Sequence, residues 1–173
     1  MKAIEAVSDA KQRLQPLGAH MHFIIRSAAM AASILMLSLA GGAAMAASAQ
    51  EEANRQTVLA FYEKGLNQKD ADAALAYVGN RYVQHNPTAP DGPEGFRKFI
   101  GFLREKFPNS RSEIKRSFAE GDFVILHVHA VREPGTRGRA IVDIFKLENG
   151  KIVEHWDVVQ DIPENPANGN TMF

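Results

Sequence analysis

The chain has 173 residues, of which 20 are Lys or Arg and 20 are Asp or Glu, so its formal net charge at pH 7 is +0. Because nucleic acid is bound first through its phosphate charge, a chain without a basic excess is not expected to have a nucleic-acid partner. The chain has no cysteine, which excludes disulfides, thiol catalysis and cysteine-ligated metals.

The N-terminal segment, residues 1–49, has the pattern of a secretory signal. Arg26 precedes a long apolar run rich in small residues, and Ala-x-Ala cleavage sites end at Ala46 and Ala49. The residues before Met21 do not fit a signal sequence, which makes Met21 an alternative start. We expect cleavage near Ala46 or Ala49 and a periplasmic or secreted mature chain without membrane contact. A retained membrane anchor is the alternative, because the run approaches the roughly 20 residues that span a bilayer; N-terminal sequencing distinguishes the two.

The remaining chain, residues 50–173, has the length of one domain, and its first half shows helical periodicity. The predicted helices cover residues 51–67, 70–78 and 93–107. Asp70 or Asp72 is the expected N-cap of the second helix and Gly79 its stop, whereas Pro93 opens the third helix.

The second half changes to a periodicity of two, which is typical of strands. The predicted strands cover residues 112–118, 123–132, 139–147 and 152–160. Asn149 and Gly150 between the last two strands predict a tight type I′ hairpin turn, because both residues tolerate positive φ. Helices followed by an antiparallel meander predict an α+β fold, in which a strongly curved sheet packs on the helices and leaves a cavity.

Asp143 is the residue that most needs an explanation, because it interrupts the apolar run of a predicted strand. Counting back from the Asn-Gly turn places Asp143 and Phe145 on the apolar face, with Asp143 opposite Trp156. The same count places His155 and Asp157 on the wetter face. Burial of an unpaired carboxylate costs several kcal/mol, so Asp143 is a candidate catalytic residue.

His127 and His129 share one face of a predicted central strand. If Val131 pairs with Arg139, His127 lies opposite Asp143; a slip of one residue turns both histidines to the back of the sheet. In that second arrangement they are core histidines satisfied by hydrogen bonds or residues at a dimer interface. Both arrangements remain open at the level of the sequence.

A metal site and an anion site are two further interpretations of the polar residues in the predicted strands and their loop. The His-x-His pair with Asp143 is a set that zinc accepts, but no further ligand spacing accompanies it, so no metal is predicted. Arg132, Arg137 and Arg139 surround a hairpin loop, where a solvated loop tip is the default interpretation and an anion clamp the alternative.

Three segments together resemble the SnoaL-like polyketide cyclase branch of the NTF2-like superfamily. They are residues 82–87 (YVQHNP), the turn at residues 120–122 (EGD) and above all residues 142–157 (VDIFKLENGKIVEHWD). The resemblance implies a cone of curved antiparallel sheet around three helices, with a ligand pocket at its open end. It also implies an Asp at the position of Asp143 that acts as acid and base in an intramolecular aldol closure without metal or cofactor, with His85 in the pocket.

We therefore expect an enzyme without cofactors that acts on a small, apolar, carbonyl-containing molecule by aldol-type cyclisation, isomerisation or a related proton transfer. Asp143 is the predicted base, and His85, His127 or His129 is the group expected to stabilise the enolate, with His85 and His127 as the predicted catalytic partners. The predicted substrate-binding residues are Tyr82, Phe99, His129, Phe145 and Trp156. The alternatives are a periplasmic domain that binds a small ligand without transforming it, and a structural dimer.

A homodimer is expected in each of these cases. The predicted back face mixes apolar and charged positions, as protein interfaces do. The apolar positions are Val142, Ile144, Val153 and Val159.

Overall fold

The computed structural model describes Met45 and residues 48–173. Most of the predicted signal segment and the cleavage site at Ala46 therefore lie outside the described residues, whereas Ser48 and Ala49 of the second site are described. Among the helices that are described, none has the length and apolar character needed to cross a bilayer.

Three helices pack on one side of a sheet. Helix α1 covers residues 48–62 and continues as a single π-helical turn at Glu63–Asn67; helix α2 covers Ala71–Leu75 and helix α3 covers Gly92–Lys106. Asp70 caps α2 as predicted, since its side chain accepts a hydrogen bond of 3.0 Å from the backbone N–H of Ala73. Pro93 lies in the first turn of α3, where its missing N–H leaves no intrahelical bond unmade.

Five strands form one curved sheet that does not close. The strands are β1 (Val78–Gln84), β2 (Arg111–Glu120), β3 (Phe123–Val131), β4 (Arg139–Glu148) and β5 (Lys151–Asp161). Their order is β1-β5-β4-β3-β2, and only β1 pairs in parallel. The predicted α+β class is confirmed. Two details of the prediction were wrong. Gly79 belongs to β1 and does not end α2. The sheet is mixed and not purely antiparallel, because β1 pairs in parallel with β5, the last strand of the chain.

The β4–β5 hairpin begins as predicted and then departs from the prediction. Asn149 and Gly150 have φ values of 50° and 71°, and Leu147 pairs with Ile152. The next pair is Lys146 with Glu154, so that β5 carries one extra residue, Val153, in a β-bulge.

The bulge exchanges the two faces of β5 beyond Val153. Phe145 therefore pairs with His155 and Asp143 with Asp157. The predicted pairing of Asp143 with Trp156 was wrong, because one inserted residue turns every following side chain to the other face of the sheet.

The β3–β4 register resolves the open question about the two histidines. Ala130, instead of Val131, pairs with Arg139, and Leu126 pairs with Asp143. His127 and His129 consequently lie on the outer face of the sheet, on the side away from the helices.

The core lies between the helices and the inner face of the sheet. It is built from aromatic residues of α1 and α3 and from β-branched and leucine side chains of β3, β4 and β5. Its most deeply buried members are Val58, Phe61, Ile100, Val124, Leu126, Val128, Phe145, Leu147 and Ile152. The outer face of the sheet keeps exposed apolar side chains, among them Phe118 (58% exposed) and Ile125 (38% exposed).

Replacement of Gly150 by Val tests the turn that fixes this register. A Cβ at Gly150 meets no atom within 4 Å, so the cost comes from forcing positive φ on a β-branched residue and should be about 1–3 kcal/mol. We expect a lower melting temperature by calorimetry. Gly101→Ala, in helix α3 and equally free of contacts, should leave the melting temperature unchanged or raise it. Equal melting temperatures of Gly150→Val and Gly101→Ala would contradict the role of the Asn149–Gly150 turn in fixing the register.

Candidate active site

Asp143 lies in the middle of β4 with its side chain directed towards the helices. The residue is 4% exposed, and its same-face neighbours on the strand are Ile141 and Phe145. An ionisable group so deeply buried requires hydrogen-bond partners.

Two partners satisfy Asp143. Its Oδ1 lies 2.9 Å from Nε2 of His155, and its Oδ2 accepts a hydrogen bond of 3.1 Å from the hydroxyl of Tyr62. His155 is itself buried, at 8% exposure. The buried carboxylate is thus held between a β5 imidazole and an α1 phenol, which explains how the core tolerates it.

The second nitrogen of His155 acts as a hydrogen-bond donor. His155 Nδ1 lies 2.9 Å from Oε1 of Gln84, and the backbone N–H of Asn86 donates to the same oxygen at 2.9 Å. Because the Asn86 N–H needs an acceptor, the Gln84 oxygen must face it, and His155 Nδ1 must then donate. One further proton is left for the contact between Nε2 and Asp143 Oδ1.

A second carboxylate, that of Asp157, borders this pair. The Asn86 side-chain amide donates to both oxygens of Asp157, at 2.7 and 2.8 Å. The side-chain oxygen Oδ1 of Asn86 accepts hydrogen bonds from the backbone N–H and the hydroxyl of Thr88, which fixes the orientation of the amide.

Two tyrosine hydroxyls complete the site. Burial, followed by the charge of Asp143, raises the pKa of Tyr62 well above its ordinary value. Burial and the same carboxylate also raise the pKa of Tyr82, so that both phenols stay protonated at neutral pH. The Tyr82 oxygen accepts a hydrogen bond of 3.4 Å from Gln84 Nε2, and none of the described residues accepts the Tyr82 proton.

These groups line the inner end of a cavity of about 1450 Å³ between the sheet and α3. Aromatic and aliphatic side chains form most of its inner wall. They include Phe61, Leu66, Phe96, Phe99, Phe102, Phe107, Ile141 and Phe145. A few polar groups in an apolar wall are typical of sites for small organic ligands.

Of the residues predicted from the sequence, four line this cavity. They are Asp143, Tyr82, Phe99 and Phe145. The predicted base and three of the five predicted substrate-binding residues therefore line the cavity.

His127 and His129 do not reach the cavity, which corrects the prediction that they accompany Asp143. The side chain of His127 contacts Arg116 through Nδ1 at 3.0 Å, and His129 Nε2 lies 2.8 Å from the carbonyl oxygen of Arg137. The ring of Phe173 packs against both imidazoles. The one-residue difference in β3–β4 register is the cause.

His85 and Trp156 also lie outside the cavity, contrary to the prediction. Their rings stack with centroids 4.5 Å apart and an angle of 5° between planes, and His85 Nε2 lies 3.3 Å from Glu154. Gln84 pairs with His155, so the next residue of each strand faces the other side of the sheet.

Five site residues were not predicted from the sequence, because they lie on other elements or turn inward only through the bulge. They are Tyr62, Gln84, Asn86, His155 and Asp157. The adjacent residues Ile152 and Val153 are both apolar and both buried, and this break in the alternation was the one local signal of a bulge.

A metal ion has one possible donor set in the described part of the chain. Single ligand atoms of Asp143, His155 and Asp157 lie within 4.8 Å of one another, and one imidazole with two carboxylates suits several divalent cations. A cation there would have to replace the Asp143–His155 hydrogen bond. His127, His129 and Asp143, the possible zinc ligands in the sequence, do not come together, because both histidines lie on the outer face.

The fold and this site define a SnoaL-like domain. Residues 58–155, more than half of the chain, match the SnoaL-like domain family, and the chain belongs to that family. No curated protein matches the sequence.

Solved structures share the fold. A candidate SnoaL-like polyketide cyclase from Jannaschia sp. CCS1 is 22% identical, with a TM-score of 0.52, over 63% of this chain and 86% of the other. A candidate polyketide cyclase from Bacillus cereus is 22% identical, with a TM-score of 0.54, over 62% and 74%. A cystatin-fold protein from Novosphingobium aromaticivorans is 22% identical, with a TM-score of 0.53, over 61% and 97%.

Tyr62→Phe tests the buried hydrogen bond through its pH dependence. Because the pKa of Tyr62 is higher in the folded chain than in the unfolded one, its contribution to stability is complete below about pH 10, the ordinary tyrosine value, and is lost as the pH rises beyond it. We expect the variant to be less stable by about 1–3 kcal/mol at neutral pH, since Asp143 loses a donor. The difference in melting temperature should shrink above about pH 10. A constant difference would contradict this assignment.

Proposed function

We propose that this SnoaL-like domain is an enzyme that transfers protons on a small, apolar, carbonyl-containing molecule without a cofactor. The observation that carries the proposal is the buried Asp143–His155 pair, 2.9 Å apart, at the inner end of a largely apolar cavity. A paired carboxylate and imidazole with one shared proton can take up a proton and return it.

Asp143 is the proposed base. A carboxylate has about four lone-pair sites, and His155 and Tyr62 occupy two of them, which leaves capacity for a substrate proton. The carbon–hydrogen bond next to the substrate carbonyl breaks, the proton moves to Asp143, and the electron pair becomes an enolate. The proton shared with His155 Nε2, 2.9 Å from Asp143 Oδ1, stabilises the carboxylate before this step.

Tyr82 is the proposed donor to the enolate oxygen. Its hydroxyl lines the cavity, and its raised pKa keeps it protonated. The side-chain amide of Gln84 already donates a hydrogen bond to the hydroxyl oxygen. The phenolic proton is therefore available for the charge that develops on the carbonyl oxygen.

The enolate can then follow either of two redox-neutral routes. It attacks a second carbonyl of the same molecule, forming a carbon–carbon bond while Asp143 returns the proton to the new alkoxide. Alternatively, where a carbon–carbon double bond adjoins the deprotonated carbon, the intermediate is a dienolate, and Asp143 returns the proton to its far carbon, which shifts the double bond and completes an isomerisation. The aromatic wall of the cavity suits an apolar substrate in both routes.

Export is a further part of the proposal and is supported by the signal-like pattern of residues 1–49 alone. A domain that binds a small ligand without transforming it is the alternative function. Turnover that depends on the Asp143–His155 pair would distinguish an enzyme from a domain that only binds its ligand.

Exchange of α-hydrogens in D₂O measures the proposed elementary step without knowledge of the natural substrate. A ten-carbon methyl ketone is incubated with the protein and followed by NMR. We expect Asp143→Asn to lower the exchange rate at least ~10²-fold, because the amide keeps the shape of the side chain but cannot act as a base. The melting temperature should change little.

His155→Asn and His127→Asn form the matched control pair for this experiment. Both replace one imidazole, but only His155 contacts Asp143. We expect slower exchange with the first variant and an unchanged rate with the second. Full exchange by Asp143→Asn with a lowered melting temperature would assign Asp143 a purely structural role and favour the binding function.

We also propose a homodimer formed through the outer face of the sheet. Phe118, Ile125, Ile144 and Trp156 form one row of cross-strand neighbours on that face. Phe118 and Ile125 are exposed, and a continuous apolar row of this kind is typical of an interaction surface.

Light scattering tests the dimer. The native chain should have twice the monomer mass, and Ile125→Glu should reduce it to the monomer mass, because a charge in the apolar row opposes association. Glu105→Gln, an exposed change on α3 on the other side of the sheet, is the control and should remain dimeric. A monomeric native chain at high concentration would contradict the proposal.

A further inference from the structure

Arg132 faces the cavity, although the sequence places it beside a hairpin loop. It follows Ala130 by two residues and so continues the inward alternation of Leu126, Val128 and Ala130. Together with Ala130 it lines the cavity wall near the open end. The other two arginines of the cluster differ, since Arg137 is exposed and Arg139 pairs with Asp161 at 2.7 Å.

The guanidinium of Arg132 is partly removed from water without a counter-charge. Its centre lies 5.6 Å from the ring centroid of Phe107. Burial, with the like charge of Arg139, lowers the pKa of Arg132. Among the residues that the structure describes, no carboxylate lies within ion-pairing distance of it. A desolvated charge of this kind is costly unless an anion joins it.

Arg132 differs from the neighbouring charged residues because its side chain faces inward and is partly buried. Lys98 and Arg137 also border the opening but are exposed, and so are the carboxylates of Glu133 and Glu164. Exposed charges are screened by water and salt and select ligands weakly.

We propose that the ligand of this cavity carries a carboxylate at the end remote from its carbonyl group, and that Arg132 binds this carboxylate. Guanidinium and carboxylate groups match in a planar, two-bond geometry, which makes Arg the suitable partner. The inference rests on the proposed function for the carbonyl end of the ligand only. It selects a keto acid over a neutral ketone as the substrate class.

Strand geometry sets the length of such a ligand. Leu126 pairs with Asp143, and Arg132 lies six residues further along the chain, about 20 Å at ~3.3 Å per residue in an extended chain. The reach of the two side chains shortens this gap to roughly 10–15 Å, a distance that an extended chain of about ten carbons covers.

Calorimetric titration with two matched probes tests the proposal. One probe is a ten-carbon keto acid with the ketone next to its terminal methyl group, and the other is the methyl ester of the same acid. We expect the native chain to bind the acid at least ~10-fold more tightly than the ester, since only the acid can form a charged pair with Arg132.

Three variants separate the charge of Arg132 from its packing. Arg132→Gln and Arg132→Met should both bind acid and ester equally, although Met retains apolar contact with Phe107. Arg104→Gln, an exposed change of the same charge outside the cavity, should keep the preference for the acid. Retention of that preference by Arg132→Met would overturn the proposal, because a group other than Arg132 would then bind the carboxylate.

The outcome for Asp143→Asn distinguishes this inference from the proposed function. This variant should keep the preference for the acid while it loses α-hydrogen exchange. Normal exchange in Asp143→Asn, with an acid preference that depends on Arg132, would refute the catalytic proposal alone. Equal affinity of the native chain for acid and ester, or no binding of either, would overturn the assignment of Arg132.

Discussion

The hydrogen bond between Asp143 and His155 depends on one extra residue in β5. Without the bulge at Val153, the inward positions of β5 would be Glu154 and Trp156, and Asp143 would face an indole. With the bulge, the imidazole of His155 and the carboxylate of Asp157 turn inward, whereas Trp156, a predicted substrate-binding residue, turns outward. β-Bulges commonly redirect side chains next to active sites, and here the bulge determines which polar groups the cavity presents.

The polar groups of the site form a chain in which each orientation fixes the next. The backbone N–H of Asn86 sets the Gln84 amide, which sets the proton on His155 Nδ1, which leaves a single proton for the contact with Asp143. Such networks are favourable only when every member is satisfied. The site therefore joins β1, β4, β5 and α1, and a change in one of these elements affects the geometry of the others.

Much of the fold follows from local sequence signals, and part of the site does not. Helix caps such as Asp70 and the Asn149–Gly150 turn act over a few residues, so the sequence predicts them. Asp143 stands out as a carboxylate in an apolar strand, and it does line the cavity. The partners Tyr62 and His155 depend on long-range packing and on a register shift by one residue. Period-two alternation assigns faces only while the pairing stays regular, and the adjacent buried residues Ile152 and Val153 are the one local departure from it.

The stack of Trp156 on His85 has a consequence for optical measurements. Trp156 is the only tryptophan of the chain, and the bulge places its indole on the outer face with His85 and Glu154. Its intrinsic fluorescence therefore reports the outer face of the sheet. A ligand that enters the cavity leaves the indole's surroundings unchanged, whereas a second molecule that covers this face removes the indole from water.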